Sequence, residues 1–384
     1  MTADGCERRD VALVLSGGGM NGVLMQLGFL RRIRESAYWP RVGWIFGTSA
    51  GALSGSLAAV DRLDVLEEFL LALQPEETFR PNRLWQVPLV GFHDYALPTT
   101  IAERLGDPAV LARQLADAAI ELVVIATDVT GDADHDGVNV GELAYSSWET
   151  PPDVFAQALL ASAAITVLPL RVGDRVATDG GWVRNYPLGY AYDHPEVETI
   201  IGFSFELTFP PEGSAVVAHL RRRLEPFRRV LPIRALVAEL ARAEARASRG
   251  EPAHLVDMIM RLMRVTFLRN NAIEERFADE KDQAIGELEA LRDDVLDLVR
   301  RHTRGRSRGR LLQAVTDRFA AADFPFRRDR RVPRITVRAS AGDVSLDHGF
   351  RTQRPWTEEA KRALIRRGYE LANRELTASE RAVA

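Results

Sequence analysis

The chain begins with a short apolar run that is followed by a cluster of glycines. Val11–Leu15 contains no polar residue, and Gly17–Gly19 come after a single serine. An apolar run of this length beside glycines is typical of a strand that is buried on both faces. From Gly22 onward apolar residues recur at helical spacing with arginines on the other side, which predicts an amphipathic helix that ends before Pro40.

Strand and helix patterns continue to alternate as far as residue 205. The runs with the composition of buried strands are Trp44–Phe46, Leu122–Ala126 and Thr199–Phe205. The helical patterns between them lie at about residues 50–60, 108–119 and 152–163. Strands that alternate with helices in this way predict an α/β fold with a mostly parallel sheet.

Strand patterns are then absent until Ile335. Residues 215–247 and 252–304 place apolar residues at helical spacing, whereas Arg304–Arg310 alternates arginine with small residues and predicts a solvated loop. A strand pattern at Ile335–Arg338 precedes a last helix from about Thr357 to Asn373. The three predicted parts are an α/β core at residues 8–211, a mainly helical insertion or cap at 212–325, and a closing strand and helix at 326–378.

Charge is distributed unevenly along a chain whose total is nearly neutral. The 384 residues are 46% apolar and carry a net charge of −4, which is an ordinary globular composition. Residues 1–204 carry 14 basic and 27 acidic groups, and the remainder carries 36 and 27. Residues 221–249 hold nine arginines and three glutamates around an apolar stripe, a pattern typical of a helix on an anionic membrane surface. Basic and acidic residues are interleaved without a recognised module, so we expect no nucleic-acid partner.

Cysteine content and the N-terminal segment predict a cytoplasmic protein with peripheral membrane contact at most. Cys6 is the single cysteine, which excludes an intrachain disulfide, and the first ten residues lack the apolar stretch of a signal peptide. Residues 42–60 carry no charge, but four glycines and four hydroxyl residues make this segment too polar for a membrane span. A buried strand, a turn and a helix explain it better.

A candidate nucleophile lies at the junction between the second predicted strand and its helix. Residues 47–51 read Gly-Thr-Ser-Ala-Gly and match the G-x-S-x-G motif. At such a junction the turn exposes the Ser49 hydroxyl, while Gly47 and Gly51 let the strand and the helix approach closely. We therefore expect Ser49 to be a catalytic serine.

The glycines after the first strand permit three interpretations. Gly17, Gly19 and Gly22 fit the dinucleotide fingerprint G-x-G-x-x-G, but Glu35 is too near to be the acid that binds the ribose. Alternatively, the backbone N–H groups of Gly17, Gly18 and Gly19 point into a cleft at a helix N-terminus and form an oxyanion hole. The third interpretation is a turn that merely requires glycine.

The candidate general base is an aspartate, because none of the seven histidines lies in a recognisable motif. Asp179 ends a short predicted strand and precedes Gly180 and Gly181, so its carboxylate can approach a serine directly. An ordinary Asp-Gly turn is the alternative.

An acidic segment resembles the start of a calcium-binding loop. Asp132, Asp134 and Asp136 have the required spacing, but the twelfth position is Leu143 instead of glutamate. We predict an acidic hairpin tip, and we expect neither a metal nor another cofactor.

Taken together, four motifs resemble those of the patatin-like phospholipase family. In chain order they are Gly-Gly-Gly-Met-Asn-Gly at 17–22, Gly-Thr-Ser-Ala-Gly at 47–51, Ala-Ser-Ala-Ala at 161–164 with Leu168-Pro169, and Asp-Gly-Gly at 179–181 with Asn185-Tyr186-Pro187. The resemblance implies a three-layer α/β/α sandwich and a serine–aspartate dyad that hydrolyses acyl esters of lipids. Ser49 would be the nucleophile, Asp179 the base, and the amides of Gly17–Gly19 the oxyanion hole.

One departure from the family pattern leaves alternatives open. Asn21 stands where the family usually has arginine or lysine, so a cation near the oxyanion hole is missing. A non-catalytic lipid-binding or scaffold protein and an esterase with a Ser49–Asp179–His348 triad are the alternatives to a lipid acyl hydrolase.

We further expect the insertion to cover the Ser49 cleft and to supply an acyl pocket. Met258, Met260 and Met263 are suited either to that pocket or to core packing. The acyl donor, the head group and the oligomeric state cannot be derived from the sequence.

Overall fold

The computed structural model describes most of the chain. The described residues are 8–81, 93–130, 141–164, 169–205, 221–249 except 223 and 230, 251, 255–321, 331–340 and 357–383. They form ten strands, which are β1 (Val11–Leu15), β2 (Val42–Thr48), β3 (Phe79–Pro81), β4 (His93–Tyr95), β5 (Glu121–Asp128), β6 (Glu142–Ser146), β7 (Leu170–Val172), β8 (Arg175–Asp179), β9 (Thr199–Phe205) and β10 (Arg334–Ala339).

The helices of the described residues come before, between and after these strands. Up to β9 they are α1 (Gly19–Arg34), α2 (Ala50–Ala59), α3 (Leu63–Ala72), α4 (Pro75–Thr78), α5 (Leu97–Leu105), α6 (Pro108–Ala116), α7 (Pro152–Ser162), α8 (Gly181–Arg184) and α9 (Leu188–Asp193). After β9 they are α10 (Leu231–Ser248), α11 (Leu255–His302), α12 (Arg306–Ala320) and α13 (Glu358–Val383).

Eight of the strands form one mixed sheet, whose order is β10-β9-β1-β2-β5-β8-β7 with β6 also paired to β5. The five strands from β10 to β5 are parallel, whereas β6, β7 and β8 run antiparallel to their neighbours. The carboxyl ends of β1 and β2 therefore meet at the same edge of the sheet. Strand β10 comes from the far end of the chain and completes the sheet beside β9.

Helices cover both faces of this sheet. Successive side chains of a strand point to opposite faces, and in β1 Leu13 packs with α1, α2, α3 and α13, while Val14 packs in the core that includes α9 and α11. This arrangement confirms the predicted three-layer α/β/α sandwich with a mostly parallel sheet.

The last helix packs tightly on the first one. A Cβ atom at Gly368 of α13 would overlap the carbonyl oxygen of Met25, and one at Gly28 of α1 would overlap that of Ile365. The two glycines therefore allow close backbone contact where the helices cross. The ammonium group of Lys361 on α13 also donates to the Leu71 carbonyl at 2.7 Å, near the C-terminal end of α3.

The segment between β9 and β10 is helical wherever it is described, but one local prediction is wrong. Of the loop predicted at Arg304–Arg310, Arg304 and Gly305 lie outside a helix, but residues 306–310 form the start of α12. Gly305 has a φ of +73° and separates α12 from α11, and arginine is a good helix former, so the helix restarts directly after the glycine. The ends of the predicted insertion fall in residues 206–220 and 322–330, outside the described residues, and its limits stay a prediction.

The described helices differ from membrane-spanning helices in length or in hydrophobicity. Within the described part of the chain, no helix combines the length and the apolar character required to cross a membrane. Even α11, with 48 residues, carries charged residues along its whole length.

Candidate active site

Ser49 occupies a sharp turn between β2 and α2. Its φ of 54° and ψ of −117° lie in a region that non-glycine residues rarely adopt, which is how a strained serine is presented above a sheet edge. A Cβ at Gly47 would lie 2.6 Å from the Gly51 carbonyl oxygen, and one at Gly51 would overlap the carbonyl of Leu15. Both glycines of the motif are therefore required by close backbone packing.

Asp179 lies directly against this serine. The Ser49 hydroxyl donates a hydrogen bond of 2.8 Å to Asp179 Oδ2, and the Gly181 amide donates one of 2.8 Å to Asp179 Oδ1. Asp179 ends β8, whose pairing with β5 places the carboxylate beside the turn after β2. The neighbouring Gly180 is equally constrained, because its Cβ would overlap the Ile125 carbonyl. The structure thus brings Ser49, Asp179, Gly180 and Gly181 together.

Burial changes the acidity of this aspartate. Asp179 is 3% exposed, and the cost of keeping a charge away from water raises its pKa to about 6. The hydrogen bonds from Gly181 and Ser49 act in the opposite direction, because they stabilise the carboxylate. The resulting pKa is close to the range in which a carboxylate is an effective general base near neutral pH.

Ser162 supports the turn at Ser49, a role that its sequence context did not indicate. Its hydroxyl accepts a hydrogen bond of 2.9 Å from the Ser49 amide and donates one of 2.6 Å to the Ile125 carbonyl. The residue is fully buried at the end of α7. The only sequence signal was its position within the small-residue motif at 161–164.

The three glycines after β1 are not equivalent. The Gly17 amide donates to the Asn185 carbonyl at 2.9 Å and is therefore already engaged. Gly18 is the N-cap of α1, and Gly19, with a φ of +57°, is its first residue. Because the first N–H groups of a helix have no partner within it, Gly18 and Gly19 are the remaining candidates for an oxyanion hole.

This glycine loop lies beside the serine. A Cβ at Gly17 would come within 3.3 Å of Ser49 Cβ, and one at Gly22 within 3.9 Å of Ala50 Cβ. Asn21, on the first turn of α1, is buried, and its side-chain oxygen has no hydrogen-bond partner among the described residues. The position thus holds a neutral polar group beside the glycine loop.

An apolar cavity runs beside these elements, between α1, α2, α3, α5, α6 and α7. Its lining includes Met20, which follows Gly19, Leu53, one turn after Ser49, and Leu160, near Ser162. Further along it is lined by Val23, Leu57, Val65, Leu66, Phe69, Leu70, Leu73, Leu97, Ile101, Leu105 and Leu111, with Arg62 and Asp107 as its charged members. Among the described residues, none from α10, α11 or α12 belongs to this lining, and the lining residues named above come from the core. An acyl pocket supplied by the insertion stays a prediction.

Two other sequence features cannot be placed. His348 of the alternative triad and the acidic residues Asp132, Asp134 and Asp136 lie outside the described residues. Across the residues that are described, histidine, cysteine and acidic side chains form no group of three that could hold a metal ion.

The part of the chain that contains these residues matches a known family. Residues 13–192 match the model described as patatin-like phospholipase. These residues form a patatin-like phospholipase domain. The patatin-like domain includes Ser49, Asp179 and the glycines at 17–19, and its family supports a lipid hydrolase function.

Comparison with solved structures and curated proteins adds distant similarities. VipD from Legionella pneumophila is 14% identical, with 97% of this chain and 67% of that chain covered and a TM-score of 0.39. The ExoU–SpcU complex from the type III secretion system of Pseudomonas aeruginosa is 16% identical, with 83% and 68% covered and a TM-score of 0.26. None of the curated proteins matches this chain.

Proposed function

We propose that this chain hydrolyses acyl esters of lipids, with Ser49 as the nucleophile and Asp179 as the general base. The observation that carries the proposal is the hydrogen bond of 2.8 Å between the Ser49 hydroxyl and Asp179 Oδ2, at a buried strand-to-helix turn. A direct contact of this kind favours a dyad over the triad with His348, because the carboxylate is already in reach of the proton it would accept. The expected class is a phospholipase A or lysophospholipase type of esterase.

The dyad would act in two steps. In the first, Asp179 takes the Ser49 proton as the serine oxygen attacks the ester carbonyl, and the departing alcohol receives that proton when its C–O bond breaks. In the second, Asp179 takes a proton from water as the water oxygen attacks the acyl group on Ser49. The serine oxygen leaves with that proton, so the fatty acid is released and the enzyme is restored.

The charge on the tetrahedral intermediate needs hydrogen-bond donors. We assign this role to the amides of Gly18 and Gly19 at the N-terminus of α1, since the Gly17 amide already donates to Asn185. Loss of one such donor typically lowers the rate about 100- to 1000-fold.

The apolar cavity beside α2 supports an acyl ester as the substrate. Met20 and Leu53 of its lining are close in sequence to Gly19 and Ser49, and most of the other lining residues are aliphatic. A site with few polar groups binds an alkyl chain by removing apolar surface from water, worth about 25 cal/mol per Å². We therefore assign the acyl chain to this cavity, within the core.

Helix α11 supports peripheral contact with an anionic membrane surface. Met258, Leu262 and Val265 are exposed large apolar residues spaced one turn apart, and Arg264 and Arg269 beside them are also exposed. Exposed apolar residues with neighbouring arginines are typical of helices that lie in the headgroup region. A cytoplasmic location agrees with this proposal and rests on the sequence alone.

Substitution of the nucleophile tests the proposed function. Ser49→Ala should lower hydrolysis of p-nitrophenyl acyl esters and of phospholipids by about four orders of magnitude or more, because it removes the attacking oxygen. Ser54→Ala is the matched control, since Ser54 is also buried in α2 but bonds to Gln26. A fluorophosphonate should label the wild type and not Ser49→Ala.

Three results would contradict parts of this proposal. Substantial turnover by Ser49→Ala would exclude Ser49 as the nucleophile. Failure of the wild type to hydrolyse esters or to react with the fluorophosphonate would favour a non-catalytic lipid-binding protein. Loss of activity in His348→Ala would favour the triad over the dyad.

A further inference from the structure

One face of α11 packs against the segment that follows Asp179. The residues on this face are Phe267, Asn270, Asn271 and Glu274, spaced three, four and seven positions from the first as on one side of a helix. Phe267, Asn271 and Glu274 are buried, and Asn270 is half-buried. Leu262 and Val265, two of the exposed apolar residues of α11, lie on the opposite side.

Asn270 and Phe267 hold Gly181 from outside the dyad. The Asn270 side-chain amide donates to the Gly181 carbonyl at 3.2 Å and to the Trp182 carbonyl at 3.1 Å. The rings of Phe267 and Trp182 meet edge to face with their centroids 5.6 Å apart. Because the Gly181 amide donates to Asp179 Oδ1, these contacts fix the orientation of a group that bonds to the dyad.

Asn271 connects α11 to the glycine loop. Its side-chain oxygen accepts a hydrogen bond of 3.0 Å from the Asn185 side-chain amide. The Asn185 carbonyl in turn accepts the Gly17 amide, and Gly17 lies next to Ser49. Both asparagines are at most 7% exposed, so an unpaired amide here would be costly.

An ion pair and a hydrogen bond also join α11 to the segment at residues 184–189. Glu274 pairs with Arg184, and its other oxygen accepts the Gly189 amide at 2.7 Å. Arg184 also pairs with Glu142 of β6 at 2.7 Å. Burial acts to lower the pKa of Arg184, but the two carboxylates together raise it by more, so the guanidinium stays charged and the buried charges are compensated.

We propose that Asn270 and Asn271 are positioning residues for the Ser49–Asp179 reaction, acting through Gly181 and Asn185. The inference rests on the proposed function, and it makes part of the helical segment after β9 a component of the catalytic unit. Neither asparagine touches the dyad itself. Their effect is geometric, and a shift of about 1 Å at reacting groups can cost about 100-fold in rate.

The inference predicts a change in the pH profile as well as in the rate. The groups that face the Asp179 carboxylate are the Ser49 hydroxyl and the Gly181 amide, while the charged residues packed nearby, Arg184 with its two carboxylates, pair with each other. Releasing Gly181 would weaken the hydrogen bond that stabilises ionised Asp179. The acidic limb of kcat/KM would then move to higher pH.

Asn270→Ala is the decisive variant, because Asn270 is half-buried and alanine favours the helix, so the protein should fold. We expect kcat per reactive Ser49, counted by fluorophosphonate titration, to fall on the order of tenfold to 100-fold. KM for a short-chain ester should change little, and the acidic limb should move upward. Asn271→Ala should lower kcat similarly, without direct release of Gly181.

Gln283→Ala is the matched control. Gln283 is an exposed amide on α11 that bonds within its helix, to Glu287, and its loss should leave kcat and the pH profile unchanged. The inference is overturned if Asn270→Ala keeps the wild-type kcat per site and the wild-type acidic limb, or if lost activity merely follows lost folded protein. Ser49→Ala in the same assay separates the two proposals, since residual turnover there would contradict the dyad itself.

Discussion

At the scale of single residues, burial raises the pKa of Asp179 and so suits it to the proposed role of general base for Ser49. An aspartate in water has a pKa near 3.9 and is a weak base at neutral pH. The sheet edge removes Asp179 from water, while the hydroxyl of Ser49 and the amide of Gly181 keep both carboxylate oxygens bonded. The aspartate is therefore more basic than usual and has a fixed orientation.

The pH dependence of hydrolysis should follow the ionisation of Asp179. Its pKa of about 6 predicts that kcat/KM rises with pH and reaches half of its plateau near pH 6, because only the ionised carboxylate can take the serine proton. A stopped assay with a p-nitrophenyl ester from pH 4.5 to pH 8 measures this. A limb centred near pH 4 would contradict the assignment.

Asp179→Asn provides the control for that profile. The variant should be inactive at every pH. Its stability relative to the wild type gives a second, independent test. Folding raises the pKa of Asp179 from 3.8 to about 6, so the folded state binds more protons than the unfolded state between these pH values. The free energy of unfolding therefore falls by up to about 3 kcal/mol as pH rises through this window. Asparagine removes that cost, so thermal unfolding should show a more stable variant at pH 8 and no gain at pH 4.

At the scale of elements, the crossing of α1 and α13 determines whether the last helix can pack against the core. Because backbone atoms of α1 fill the space where a side chain at Gly368 would lie, Gly368→Ala should destabilise the protein by about 1–3 kcal/mol. Gly309→Ala is the matched control, since Gly309 lies in α12 with open space around it and should gain up to about 1 kcal/mol of helix stability. Urea unfolding measures both, and equal effects would contradict the packing argument.

At the scale of the whole molecule, the uneven charge distribution corresponds to different parts of the fold. The acidic first half holds the sheet edge with Ser49 and Asp179, whereas the basic excess belongs to residues 205–384. The four helices after β9 carry 21 basic and 19 acidic residues, so most of that excess lies in the segments that connect them. One face of helix α11 packs against the segment after Asp179, and the opposite face is exposed. A single helix would therefore connect the proposed lipid contact with the catalytic unit.

Charge introduced on the exposed face should weaken vesicle binding. The double variant Leu262→Glu/Val265→Glu should lower co-sedimentation with phosphatidylglycerol vesicles about tenfold or more, because burial of one large apolar side chain is worth about 1.5 kcal/mol. Hydrolysis of a soluble short-chain ester should not change. Phe277→Glu, an exposed apolar residue on another side of α11, is the control. Absence of the wild type from these pellets would contradict membrane contact.

Local sequence determined the parts of the protein that depend on short-range sterics. The strand-turn-helix at Ser49 and the alternation that gives an α/β fold with a mostly parallel sheet were predictable, because apolar periodicity and glycines act over a few residues. The three-layer arrangement was implied by the family resemblance. Local signals can also mislead, as with Arg306–Arg310, where arginine and glycine suggested a loop and the helix α12 forms.

Only the tertiary structure decided how distant segments share the site. Ser49 and Asp179 are 130 positions apart, and the contact of their side chains depends on the pairing of β5 with β8. Gly17 and Asn185 each belong to a sequence motif, but no motif indicates that the Gly17 amide donates to the Asn185 carbonyl. Asn271, which bonds to the Asn185 side chain, lies in no motif. Such contacts arise from packing between segments, so the sequence specifies them only through the complete fold.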